Sequence, residues 1–204
     1  DLFCLSSGMT VSGGDGNGVG IAPLDSPLVS LGRPGLYRYE KEWKDREPKI
    51  FINLFNNVWG TNFKQWIGGS WSSRVRIWAL PEKTGLAADL ITRGWDARMP
   101  CQVGVAEGSA GNLPVTGRGI ELSRDGILIT AFGANPDGKG VVLRLWEQAG
   151  VSGRVTVRLP PGMKASTITP ASLRGESMGK PEPLMGDGFE TKLKAFAPAS
   201  FLLE

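Results

Sequence analysis

The chain has 204 residues, 41% of them hydrophobic, with 29 Gly, 14 Pro and 7 Trp; this suffices for one large β domain or two modest ones, and so turn-rich a composition points to an all-β class. Its 23 basic and 20 acidic residues are scattered and leave a formal charge of only +3, so there is no concentrated field to grip a phosphate backbone, and no nucleic-acid partner is expected. The absence of any His removes the commonest metal ligand and the commonest general base together, so no metal site and no catalytic residue is assigned.

No stretch approaches the roughly 18–20 consecutive apolar residues that a membrane-spanning helix needs, and no membrane partner is expected. The opening DLFCLSSGM lacks the charged start and apolar core of a signal peptide, and a strand-like start without Met is what a domain cut from a longer precursor would have. The compartment is not legible, with a periplasmic or secreted location slightly favoured over the cytoplasm. Cys4 and Cys101 sit in apolar, strand-like contexts, where a free buried thiol is at least as common as a disulfide.

In chain order, the first third reads as strands at Leu2 to Leu5, Val19 to Ala22, Leu28 to Leu31 and Leu36 to Glu40, with a GGDGNG turn around Asp15. Lys49 to Phe55 looks like a strand buried on both faces. Trp71 to Leu80 alternates, with Trp71, Val75, Ile77 and Ala79 expected inside and Arg74, Arg76 and Trp78 on the other, polar side. Leu86, Leu90 and Ile91 then recur at helical spacing, with Gly94 placed to end the chain's one helix. A strand at Gln102 to Ala106 follows. Beyond it lie regularly spaced strands at Ile120 to Ser123, Ile127 to Ala134, Val141 to Gln148, Arg154 to Leu159, Lys164 to Ser172, Phe189 to Lys194 and Ser200 to Leu203. Their spacing and the turns at Asp125, Asp137 and Asp187 are the signature of a small sandwich, which places a boundary near residue 118.

Most motifs have plain structural explanations. The glycine-rich stretch from Gly13 has no following Lys-Ser/Thr pair and no helix behind it, so it is not a phosphate loop; Asp15 and Asn17 could offer oxygens to Ca²⁺, but a hairpin tip is the default. No pair of carboxylates stands out as a glycosidase acid and nucleophile. The most unusual stretch is NLFNNVWGTNFKQWIGGSW, residues 53–71, where Asn53, Asn56, Asn57 and Asn62 mix with Trp59, Phe63, Trp66 and Trp71. Aromatic faces stack on the apolar side of a pyranose while amides and carboxylates bind its hydroxyls. The same residues could equally build an ordered loop with Trp in the core.

Three segments carry a family resemblance. Ala22-Pro-Leu-Asp-Ser-Pro-Leu28 resembles an Asp-x-Pro-Leu segment, Asn57-Val-Trp-Gly-Thr-Asn-Phe63 is similar to an Asn-x-Trp-x-Thr-Asn-Phe element, and the end of the chain, VVLRLWEQAGVSGRVTVRLP with KAFAPASFLLE, resembles the closing sandwich of the same enzymes: glycoside hydrolase family 38, the α-mannosidase family, with its bacterial relatives. The resemblance spans most of the chain from about residue 19. It implies part of a mutarotase-like β-supersandwich over 1–118 and a C-terminal β-sandwich over 119–204. It further implies that the zinc site and nucleophile belong to an N-terminal catalytic barrel, the expected partner, so that this chain holds no cofactor itself. Carbohydrate would then be met by Asp25, Asn57 and Asn62, which would recognise hydroxyls, and by Trp59, which would stack on a ring or support the loop. Gly60 stands where the mannosidases often carry an acidic residue, which weighs against α-mannosidase specificity. A free-standing carbohydrate-binding module and a purely structural domain are the alternatives.

Overall fold

A computed structural model describes residues 2–15, 17–35, 42, 47–55, 62, 64, 66–80, 85–105, 107–108, 111 and 115–204. The structure is mostly β-sheet with a single helix among the described residues. Two compact units are formed, one by residues 1–86 with 93–100, the other by residues 87–92 with 101–204.

The first unit contains β1 (Phe3–Cys4), β2 (Met9–Ser12), β3 (Gly18–Pro23), β4 (Leu28–Leu31), β5 (Ile50–Ile52) and β6 (Val75–Leu80). They form two antiparallel three-stranded sheets, ordered β1-β4-β5 and β2-β3-β6. Ala22, Val29 and Leu80 are buried. Buried Ser30 is satisfied within its own turn, donating to the Arg33 carbonyl at 2.9 Å and accepting from the Gly35 N–H at 2.8 Å. The expected strand at 36–40 lies outside the described residues.

Three expectations for this unit need correction. On β6 the buried side is the opposite one: Leu80 is buried and Trp78 half-buried, while Val75, Ile77 and Ala79 are exposed. Trp78 is the register partner of Gly20 on β3, and its indole occupies the space a Cβ at Gly20 would take. A bare glycine thus gives the largest side chain of β6 a seat on the sheet, and the aliphatic parity turns outward. Second, Lys49 to Phe55 is a strand only over β5, whose residues are all half-buried, and Leu54 and Phe55 are exposed. Third, Gly94 does not end the helix, α1 (Leu86–Arg98), but lies inside and buried in it. A Cβ there would stand 2.8 Å from the carbonyl oxygen of Ser7, so Gly94 is the point where the helix backbone meets the β1–β2 connection.

The second unit contains β7 (Glu121–Leu122), β8 (Ile127–Ala134), β9 (Val141–Glu147), β10 (Gly153–Arg158), β11 (Thr167–Ala171), β12 (Glu182–Pro183), β13 (Gly188–Leu193) and β14 (Pro198–Leu203). A three-stranded sheet β13-β10-β7 and a five-stranded sheet β12-β11-β14-β9-β8 enclose one core. Val155, Val157 and Leu193 come from the first and Leu143, Leu145, Phe201 and Leu203 from the second. Alternation on β9 and β10 delivers these residues to one face, as a sandwich layer requires. Phe189 and Phe201 meet across the two sheets with ring centroids 5.1 Å apart. Residues 101–105 form no strand, and Val103 and Val105 are exposed.

Candidate functional site

The geometry with the most chemical content in the first unit begins where β3 and β6 stop pairing. Their ladder ends at Pro23 opposite Val75, and side chains continue it. The Leu24 N–H donates to the Arg74 carbonyl at 2.9 Å, and the Arg74 N–H donates to Asp25 Oδ2 at 2.8 Å. The guanidinium of Arg74 grips the same carboxylate as a fork, Nε to Oδ2 at 3.0 Å and Nη2 to Oδ1 at 2.8 Å. Ser26 and Ser73 hydroxyls lie 3.3 Å apart beside this pair.

The side-chain hydrogen bonds from Arg74, with its backbone N–H and its charge, hold the Asp25 carboxyl well below the usual range, at about 2. Asp25 is therefore an anion at any physiological pH. Three of the roughly four acceptor positions of a carboxylate are used by Arg74, which leaves about one for a hydroxyl donor.

Next along the chain stands an aromatic surface. Trp71 and Phe55 contact each other with centroids 5.7 Å apart and rings tilted by 53°, yet Trp71 is 60% and Phe55 76% exposed. Trp66 is 83% exposed. Neighbouring Asn53 is anchored, its N–H donating to the Leu28 carbonyl at 2.9 Å. Exposed aromatic rings can stack on an apolar sugar face, and a carboxylate can accept from hydroxyls.

Of the sugar-facing residues expected from the sequence, Asp25 is thus a clamped anion and Asn62 is exposed, while Asn57 and Trp59 lie outside the described residues. Arg74 and Ser73 were not legible as site residues, because their partners are 49 and 47 positions away and no local pattern links them.

The other motifs resolve into structure. Asp15 accepts from the Asn17 N–H and side-chain amide, both at 3.1 Å, and these bonds hold its carboxyl below the usual range; with Gly13 donating to the Asn17 carbonyl they close the β2–β3 hairpin tip. In the second unit an open cleft of about 340 Å³ lies beside β11, β12 and β13, lined by Pro170, Glu182, Met185, Phe189, Glu190 and Phe201. Glu190 there is already paired with Arg154 at 2.7 Å. Among the described residues no three His, Cys, Asp or Glu side chains converge on one point. Cys4 and Cys101 are free thiols, exposed rather than buried. No helix among the described residues is long and apolar enough to cross a membrane.

No protein-family profile matches the sequence, and no curated protein is significantly similar to it.

Proposed function

We propose that this chain is a non-catalytic β region of a family 38-like glycoside hydrolase, packing on that enzyme's catalytic barrel and lending the edge of its carbohydrate site. The observation that carries the proposal is the exposed Phe55–Trp71 pair standing three residues from the Asp25–Arg74 clamp. Asp25 and the amides Asn57 and Asn62 would take hydroxyls, and Trp59 and Trp71 would present ring faces.

Packing on another domain is supported by a second feature. Val19, Val75 and Ile77 share one face of the β2-β3-β6 sheet through the register Val19 to Ala79, Ile21 to Ile77 and Pro23 to Val75, and Ile77 is 63% exposed there. An aliphatic sheet face open to water is what a domain interface leaves when its other half is removed.

The test is calorimetric titration of this chain with mannose-containing and other oligosaccharides, beside an assay on nitrophenyl glycosides. Weak glycan binding that Trp71→Ala and Trp59→Ala abolish, without hydrolysis, is expected. Hydrolysis by the chain alone would overturn the non-catalytic assignment. Tight binding indifferent to both substitutions would favour a free-standing binding module with its site elsewhere, and silence in the presence of the catalytic domain as well would leave a purely structural role.

A further inference from the structure

Among the described residues the second unit has four sheet edges, and three are guarded. β12 is two residues long and consists of Glu182 and Pro183; β7 is two residues long and carries Glu121; β13 carries Glu190 and Lys192. Brevity, proline and charge are, with bulges and covering segments, the means by which natural edges avoid joining other strands. β8 has neither brevity, proline nor charge, only a single bulge. Its eight residues, Ile-Leu-Ile-Thr-Ala-Phe-Gly-Ala, include no charge and no proline, and all but Ala131 are exposed from Ile129 to Ala134. A bulge between Ile129 and Ala131 is its one irregularity, and Ala131 to Ala134 pair regularly with β9.

The five-stranded sheet also overhangs the smaller one. Ile129 and Phe132 stand in register with Leu145 and Leu143, both fully buried, so they occupy the core-facing side of the sheet. They are nevertheless 41% and 43% exposed. A long, uncharged edge therefore coincides with an uncovered apolar strip.

We infer that β8 is the pairing edge of a two-fold homodimer, in which the β8 strands of two copies run antiparallel and join two five-stranded sheets into one. A second copy fits for three reasons. A strand without charge meets its own image without like-charge contact. Asp125 precedes β8 and Asp137 and Lys139 follow it, so antiparallel self-pairing brings both signs to each junction, while Arg124 is held on Glu147 within its own copy. An antiparallel edge pairing also has its two-fold axis normal to the sheet, which keeps the two core-facing sides together and lets Ile129 and Phe132 of one copy extend the strip of the other.

Sedimentation velocity over a wide concentration range, combined with hydrogen exchange of the 127–134 amides, tests this on the whole chain. The expected result is a monomer–dimer equilibrium in which those amides gain protection as the dimer forms. Ile129→Lys, and independently Phe132→Glu, should each raise the dissociation constant at least about tenfold while circular dichroism stays native. A chain that is monomeric throughout overturns the inference. So does any assembly that forms without added protection at 127–134, a readout that holds even if a variant fails to fold.

Discussion

The carboxylate of Glu147 accepts a hydrogen bond from the backbone N–H of Phe196 at 2.9 Å, tying the end of β9 to the turn that leads into β14. The N–H groups of Ala149, Gly150 and Val151 converge on the same carboxylate at 3.0–3.1 Å, and Arg124 Nη1 reaches it at 3.3 Å. The Glu147 side chain is 0% exposed. It is the nucleus of two turns: Phe196 sits at φ 57°, a left-handed conformation that costs a bulky residue of order 1 kcal/mol or more, and the Glu147 bond with one from Trp146 Nε1 to the Phe196 carbonyl holds it there.

Replacing Glu147 by Gln keeps the volume and turns an amide NH₂ toward N–H donors. Breaking a buried charge cluster of this kind costs about 3–5 kcal/mol. Urea unfolding should show that loss, and a loss below about 1 kcal/mol would mean that the turns hold without their anchor.

The same group sets an acid limit. Burial pushes the Glu147 carboxyl up, but the hydrogen bonds from Phe196, Val151, Arg124 and Gly150 together outweigh it and hold the carboxyl below its ordinary value of 4.5. A carboxyl lowered on folding contributes stability that is complete above the unfolded value and is lost as pH falls through the folded one. The melting temperature of the wild type should therefore decline below about pH 4.5 more steeply than that of Glu147→Gln. Parallel profiles from pH 7 to pH 2 would assign the acid sensitivity to other carboxyls.

Gly94→Ala tests the close approach inside α1. On an open helix face the change gains up to about 1 kcal/mol of helix propensity. Here the new methyl would stand 2.8 Å from the Ser7 carbonyl, and relieving such an overlap typically costs about 1–3 kcal/mol. Net destabilisation in denaturant is expected; net stabilisation would mean that the β1–β2 connection moves aside freely.

What could be read in the sequence was what depends on neighbours in the chain. β4 and β8 have the expected bounds, because turn residues flank each run. The all-β class followed from the same punctuation. Features set by distant partners were not legible. The side that β6 buries is decided by Gly20 on another strand, and Gly94 looks like a helix stop unless Ser7 is known to lie against it. Met9–Ser12 and Glu182–Pro183 were missed because MTVS and EP are too short to show a period. At the candidate site, composition singled out the aromatic stretch and the family resemblance pointed to Asp25, but nothing local announced that Arg74 occupies most of the Asp25 carboxylate.

Trp78 on β6 and Trp71, just before that strand in the chain, should respond differently to removal. Trp78→Ala empties the seat over Gly20 and should cost about 2 kcal/mol or more, toward the range for a core aromatic. Trp71 is mostly in water, and Trp71→Ala should stay within about 0.5 kcal/mol. Equal costs in urea titration would mean that Trp71 is a packing residue and would remove it from the proposed sugar surface.

Asp25 offers a direct reading of the clamp. With Arg74 as its partner the carboxyl should titrate at about 2, and Arg74→Ala should return it toward the ordinary 3.8, followed by carboxyl ¹³C resonance. The sign on stability follows: the contribution of the pair is present above the unfolded value and disappears as pH falls through about 2, so physiological pH changes leave the clamp closed. If Asp25 titrates near 3.8 in the wild type, the fork is not held in solution, and the carboxylate has most of its acceptor positions available to a ligand. If it titrates at about 2, any sugar must approach an anion whose orientation Arg74 has already fixed, and Arg74→Ala should then weaken glycan binding by disordering Asp25 while leaving its charge in place at neutral pH.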